Sequence, residues 1–131
     1  MVTHVIEQLR APRVLIVDDD ASLRLLCRVN LELEGYRVLE ADGVGAAEAL
    51  WFDEAVDAVL LDVHLGDGDG LELLARMRAK QAGPPVALFT GSVELDAAKR
   101  SVAEGVILKP FTLDELSGTV ARIVGAYRSG S

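Results

Sequence analysis

The sequence predicts a doubly wound α/β domain, five parallel strands in one sheet with helices on both faces. Two observations carry that expectation. Four short apolar runs, Val14 to Val17, Ala58 to Leu61, Val86 to Phe89 and Val106 to Leu108, each stop at a polar or charged residue: Asp18, Asp62, Thr90 and Lys109. Continuous apolar runs of that length fit strands buried on both faces, as in parallel sheets. Between them lie segments with helical spacing, so that strand and helix alternate five times.

Residues 1–12 have little pattern and read as a lead-in, 13–127 as the domain, and 128–131 as a tail. The first strand is Arg13 to Val17. A helix follows from Ala21 to Glu34, with Leu23, Leu26, Cys27 and Leu31 on one face and Asp20 as its N-cap. Gly35 stops it. Tyr36 to Glu40 is a strand and Gly45 to Phe52 a short helix. The third strand ends at Asp62, and Gly66, Gly68 and Gly70 mark the loop after it. Leu71 to Gln81 is a helix ended by Gly83, Pro84 and Pro85. Strand four is Val86 to Thr90, helix four Glu94 to Ala103, and strand five precedes Lys109. The last helix opens with Thr112 and Glu115 at capping-box spacing, flanked by a Phe111–Leu116 staple.

Composition narrows the function. A chain of 131 residues, half of them apolar, builds one core without metal or disulfide support. A formal charge of −8 argues against a nucleic-acid surface. The single cysteine, Cys27, forms no internal disulfide and fits a reducing cytoplasm. No apolar stretch approaches the ~18 residues of a membrane span, and no secretory h-region opens the chain.

In open α/β sheets the carboxyl ends of the strands bind ligands. The groups converging there are the acids Asp18, Asp19 and Asp62, the Thr90 hydroxyl and the Lys109 ammonium. Acids this close repel unless a cation sits among them, and oxygen-only ligands suit Mg²⁺. The lysine and hydroxyl then suit an anion beside the metal, with phosphoryl the obvious candidate.

Four strings carry a family resemblance: VDDD at Val17 to Asp20, Asp62 in LLDVHLGDGDG, Thr90 in LFTGS, and Lys109 in LKPF. In this order and near this spacing, from about Arg13 to Tyr127, the chain resembles the CheY-like receiver domain of two-component response regulators. The resemblance implies a (βα)5 flavodoxin-like fold. It also implies that Asp62 takes a phosphoryl group from phosphohistidine, forming an acyl phosphate. The donor would be a sensor histidine kinase or a histidine phosphotransfer protein. By the same analogy Mg²⁺ is held by Asp19 directly, by Asp18 through water, by Asp62 and by the backbone carbonyl of His64, neutralising phosphoryl charge. Thr90 and Lys109 would contact the phosphoryl oxygens, with Lys109–Pro110 cis so that the ammonium is aimed at them. The plainer readings are a turn aspartate, a strand threonine and a solvated lysine, and order along the chain weighs against them.

Several residues depart from the family pattern. Val106 stands where the family usually has the aromatic ring that swings inward on activation. The interval from Thr90 to Lys109 is a few residues short, so helix four or its exit loop is expected to be truncated. Gly66 replaces a usual proline and loosens the loop. His64 and Ser92 flank the phosphoryl site at positions that tune its lifetime in this family, and small Gly91 leaves it open to water; the plainer reading of His64 is a solvent-facing loop residue. The GDGDG string superficially suits calcium, but in a loop opened by Asp67 the third acidic position is Leu71 and the twelfth is Arg78, which argues against an EF-hand. Asp69 and Gly70 are assigned to the turn into the third helix. On the first helix Leu25 and Val29 point outward. Isolated exposed apolar residues are ordinary, and the sharper reading is a docking patch for a histidine-bearing helical bundle.

The favoured expectation is a single-domain response regulator, a phosphoryl acceptor signalling by protein contact, with no output domain after the last helix. The alternatives are a receiver cut from a hybrid histidine kinase or transcription regulator, and an aspartyl-nucleophile metal-dependent phosphatase. The phosphatase class usually has a second acid where His64 stands. A flavodoxin-like cofactor site would need a hydroxyl- and glycine-rich loop after the first strand, where this chain has acids.

Overall fold

Every residue of the two central strands is buried, so both faces of the sheet need cover. A computed structural model, describing residues 10–52, 55–91 and 97–130, shows how the chain supplies it. The strands are β1 (Arg13–Val17), β2 (Arg37–Ala41), β3 (Ala58–Asp62), β4 (Val86–Thr90) and β5 (Gly105–Leu108). The helices are α1 (Ala21–Leu33), α2 (Val44–Trp51), α3 (Gly70–Lys80), α4 (Ala97–Arg100) and α5 (Leu113–Gly130). The sheet is parallel throughout, in the order β2-β1-β3-β4-β5.

Side chains alternate across each strand. Leu15, Val17, Val59, Leu61 and Leu88 pack on one face with Ala47 and Trp51 of α2 and with Leu73, Leu74 and Met77 of α3. Val14, Ile16, Leu60, Ala87 and Phe89 pack on the other with Cys27 and Leu31 of α1 and with Leu116, Val120, Ile123 and Val124 of α5. The chain runs from β1 outward to β2 and then returns past β1 to β3. The carboxyl ends of β1 and β3 therefore adjoin at the switch point of the sheet.

Local chemistry sets the helix ends. Asp20 caps α1, its Oδ1 accepting from the Ser22 and Leu23 N–H groups at 2.9 and 3.2 Å. Gly35 follows with φ +97°, a left-handed conformation that favours glycine. Asp69 caps α3 through the Leu71 N–H at 2.7 Å. Thr112 Oγ1 accepts from the Glu115 N–H at 3.1 Å, half of the expected capping box.

Some expectations shift. Leu26 is 48 % exposed: each residue of a helix turns about 100° from the last, and the sheet covers the stripe of Cys27 and Leu31. Strand β2 begins at Arg37, one residue late, because the Tyr36 N–H still bonds to Leu31 O beyond the helix end. Helix α3 starts at Gly70, directly after its cap. Helix α4 stops at Arg100, short of Ala103, and residues 92–96 lie outside the described ones. Residues 128–130, expected to be a tail, continue α5; Arg128 reaches Asp57 at 3.4 Å and Arg10 O at 2.9 Å, which holds the last turn. No helix among the described residues is long and apolar enough to cross a membrane.

Candidate functional site

Four strand ends bring the site together. Asp18 follows β1, Asp62 ends β3, Thr90 ends β4, and Lys109 follows β5. Asp18 is fully buried, Asp62 and Thr90 are nearly so, and Asp19 is exposed. One carboxylate oxygen each from Asp18, Asp19 and Asp62 lies within 4.8 Å of the others. Lys109 Nζ sits 2.9 Å from Asp18 Oδ2 and 3.5 Å from Asp62 Oδ2. Its backbone N–H donates to Thr90 O at 2.8 Å, tying the lysine and threonine ends together, and its peptide to Pro110 is cis.

Electrostatics follow from this crowding. Burial pushes the Asp62 carboxyl above the usual range; the His64 N–H, donating to its Oδ1 at 3.0 Å, opposes that, Asp18 adds to it and Lys109 offsets it. Burial alone would lower the Lys109 ammonium, but its bonds to Asp18 and Asp62 carry it above the ordinary lysine value. The buried Cys27 thiol behind the site is pushed up to about 12, by burial first and by the Asp18 charge second. It is a core group of low reactivity.

The donor set tests the metal expectation directly. Three carboxylates face one ammonium, a deficit of two charges that one divalent cation would balance. All the donors are oxygens, the set that hard cations such as Mg²⁺ take. Asp18, Asp19 and Asp62 could hold such an ion.

The loop after Asp62 has structure the sequence reading did not foresee. Residues His64–Leu65 and Gly68–Asp69 form a two-residue antiparallel ladder. Asp67 reaches across to the start of α2, where both its oxygens accept from the Val44 N–H at 3.0 and 3.1 Å. Gly43 allows this, since a Cβ there would stand 2.7 Å from that carboxylate. At Gly70 a Cβ would come within 2.1 Å of Asp62 O, so the turn after the candidate nucleophile needs glycine. The partner of Asp67 is distant in sequence, and the glycines of this loop marked a turn without pointing to it.

The other expected residues are distributed around this centre. The His64 side chain is exposed and Gly91 faces open space; Ser92 lies outside the described residues. Val106 is half-buried in a cleft of about 410 Å³ lined also by Arg100, Leu108, Glu115, Thr119 and Arg122. Leu25 and Val29 on α1 are exposed, at 61 % and 52 %.

A five-stranded, doubly wound parallel sheet in the order β2-β1-β3-β4-β5 defines the flavodoxin-like class of α/β domains, here with acids, a threonine and a lysine at the carboxyl ends of its strands. Within it the assignment is specific: the model of the response regulator receiver domain matches residues 14–121, and the chain belongs to that family. It is 38 % identical over 114 residues to the virulence sensor protein BvgS of Bordetella bronchiseptica, covering 79 % of this chain and 9 % of that protein. It is 34 % identical over 113 residues to the regulatory protein AtoC of Escherichia coli, covering 84 % of this chain and 24 % of AtoC. The chain thus spans a small part of the curated relatives it matches. Among solved structures, a CheY-like receiver domain protein from Methanospirillum hungatei superposes with TM-score 0.84 at 26 % identity, covering 93 % of this chain and all of that one. The response regulator TrrA of Thermotoga maritima, solved in complex with Mg²⁺ and BeF, gives TM-score 0.78 at 28 % identity over 86 % of this chain and 98 % of that one. This is a receiver domain of the two-component signalling family, and its relatives include both sensor kinases and regulators.

Proposed function

We propose that the domain is a phosphoacceptor in which Asp62 takes a phosphoryl group from a phosphohistidine on a sensor histidine kinase or histidine phosphotransfer protein. The observation that carries this reading is the meeting of three carboxylates within 4.8 Å beside an ammonium already bonded to one of them. An Asp62 oxygen attacks phosphorus as the bond from phosphorus to the imidazole nitrogen breaks. The imidazole, protonated on its other ring nitrogen, leaves with the electron pair as the neutral base, and Asp62 becomes an acyl phosphate. Hydrolysis reverses the state: water attacks phosphorus, inorganic phosphate leaves, and the carboxylate returns.

Mg²⁺, when bound by Asp18, Asp19, Asp62 and the His64 carbonyl, supplies neutralisation of phosphoryl charge. The His64 N–H holds one Asp62 oxygen and so fixes the carboxylate plane. Lys109, anchored on Asp18, turns its ammonium to the phosphoryl oxygens, and Thr90 donates its hydroxyl to them. Those contacts are made better in the phosphorylated state and so favour an active conformation. Val106 offers no ring to move with Thr90, so output would run through another surface of the domain. Gly91 leaves water access, while His64 and Ser92 tune lifetime. Leu25 and Val29 would meet the donor's helical bundle. A cytoplasmic location belongs to this reading. The same chemistry serves a single-domain regulator or a receiver within a hybrid kinase or transcription regulator.

The test is intact mass after incubation with a small phosphodonor. Wild type with Mg²⁺ is expected to gain one phosphoryl group or to release phosphate steadily. The Asp62→Asn variant is expected to do neither, and uptake by that variant would refute the assignment.

A further inference from the structure

The turn from β1 into α1 carries two of the three clustered carboxylates, and it leaves the sheet at Asp18. The Asp18 N–H still bonds to Ala41 O of β2 at 3.1 Å. Its carbonyl accepts instead from a side chain, Arg24 Nη1, at 2.6 Å. Arg24 lies one turn into α1, and its Nε donates to Glu40 Oε1 on β2 at 3.0 Å. Both side chains are largely covered, at 16 % and 26 % exposure. The Asp18 carboxylate is tied as well, Oδ1 by the Asp20 N–H at 2.9 Å and Oδ2 by Lys109 at 2.9 Å. Arg24 therefore completes the fixing of Asp18, holding its carbonyl while the Asp20 N–H and Lys109 hold its carboxylate.

Geometry rather than charge is what Arg24 contributes. Arg28 shares Glu40 and also pairs with Glu32, both at 2.5 Å, so two cations and two anions balance locally. A planar guanidinium holds two acceptors in fixed directions, which an ammonium does not. The Asp18 carbonyl and the β2 carboxylate are two such acceptors, and joining them locks the acidic turn to the sheet edge.

We propose that Arg24, oriented by Glu40, is a positioning residue for the acidic site, holding the Asp18 carbonyl so that Asp18 and Asp19 stay in register with Asp62. The proposal rests on the reading of these three carboxylates as a divalent-cation site. Removing groups that orient metal ligands typically weakens binding about 10- to 100-fold.

Mn²⁺ serves as the probe, with free ion followed by electron paramagnetic resonance in the unphosphorylated protein and folding checked by circular dichroism. Arg24→Ala is expected to weaken Mn²⁺ binding about tenfold or more. Arg24→Lys should recover only part of the loss, and Glu40→Ala should fall between wild type and Arg24→Ala. Arg28→Ala removes an equal charge from the same network without touching Asp18 and should bind as wild type does. Wild-type affinity in folded Arg24→Ala, or an equal loss in Arg28→Ala, would overturn the proposal. Should Arg24→Ala not fold, unchanged affinity in Glu40→Ala would overturn it instead. A wild type that binds no Mn²⁺, or binding that survives both Asp18→Asn and Asp62→Asn, refutes the underlying cation-site reading, a result distinct from the others.

Discussion

Strand β3 is bracketed by two aspartates of equal burial, Asp57 before its first residue and Asp62 at its last, each 7 % exposed. Their surroundings differ. Asp57 accepts from the Arg13 N–H at 2.8 Å and from Arg128 Nε at 3.4 Å, so the amino end of the sheet answers one buried acid with donors. Asp62 shares its end with Asp18 and Asp19 and has one ammonium, 3.5 Å away and closer to Asp18. Burial raises its pKa and Asp18 raises it further. Burying an acid is thus compatible with either architecture or chemistry, and the balance of neighbouring charge separates them. An acid satisfied by donors closes the fold; acids left in excess call for a cation and a reactive anion.

The contrast has a pH signature. The native state holds the Asp62 proton more tightly than the unfolded chain, so this group's contribution to stability rises as pH falls through its raised value. Lys109 is also raised, and its contribution is present below the ordinary lysine value and lost as pH climbs through the folded one. Around neutral pH, Asp62 therefore costs stability while Lys109 contributes it.

Substitutions around the carboxyl end sharpen the comparison. The largest stability effect is expected from Gly70→Ala, whose Cβ would press on Asp62 O. Overpacking of this kind costs about 1–3 kcal/mol; urea unfolding should show that loss, and phosphoryl uptake should slow because the strand end is displaced. Asp67→Ala should cost less, about 1 kcal/mol, the usual value of a helix cap, read by the same unfolding curve. Smallest should be the response of Trp51 fluorescence to divalent cations. That ring is buried near Gly83, before β4 begins, and away from the acids; a large change would mean that the two ends of the sheet are coupled.

How much of this was legible beforehand differs between local and distant effects. Strand ends at Asp62 and Thr90 could be read because each closes an apolar run, and Asp20 and Thr112 because capping is a matter of adjacent residues. The exposure of Leu26 was misread, since spacing gives a helix face but not the width of the stripe its neighbours cover. The bond from Asp67 to α2, the hold of Arg24 on Asp18 and the clasp between Arg128 and Asp57 join residues far apart in sequence or meeting only through the fold. Periodicity carries no trace of them. Lys109 was expected to face the phosphoryl group; that it anchors first on Asp18 follows from the side-by-side ends of the strands.

The account turns on the opposite character of the two aspartates, and their unfolding free energies test it most directly. In urea, at neutral pH and without divalent cations, Asp57→Asn should lower stability by about 1–3 kcal/mol because the amide keeps only one of the two oxygens that accept from the Arg13 N–H and from Arg128 Nε. Asp62→Asn should raise stability, because it removes a buried charge from among like charges. If Asp62→Asn destabilised the protein as Asp57→Asn does, the carboxyl-end acid would be a structural partner like its counterpart, and the charge-imbalanced site would be contradicted.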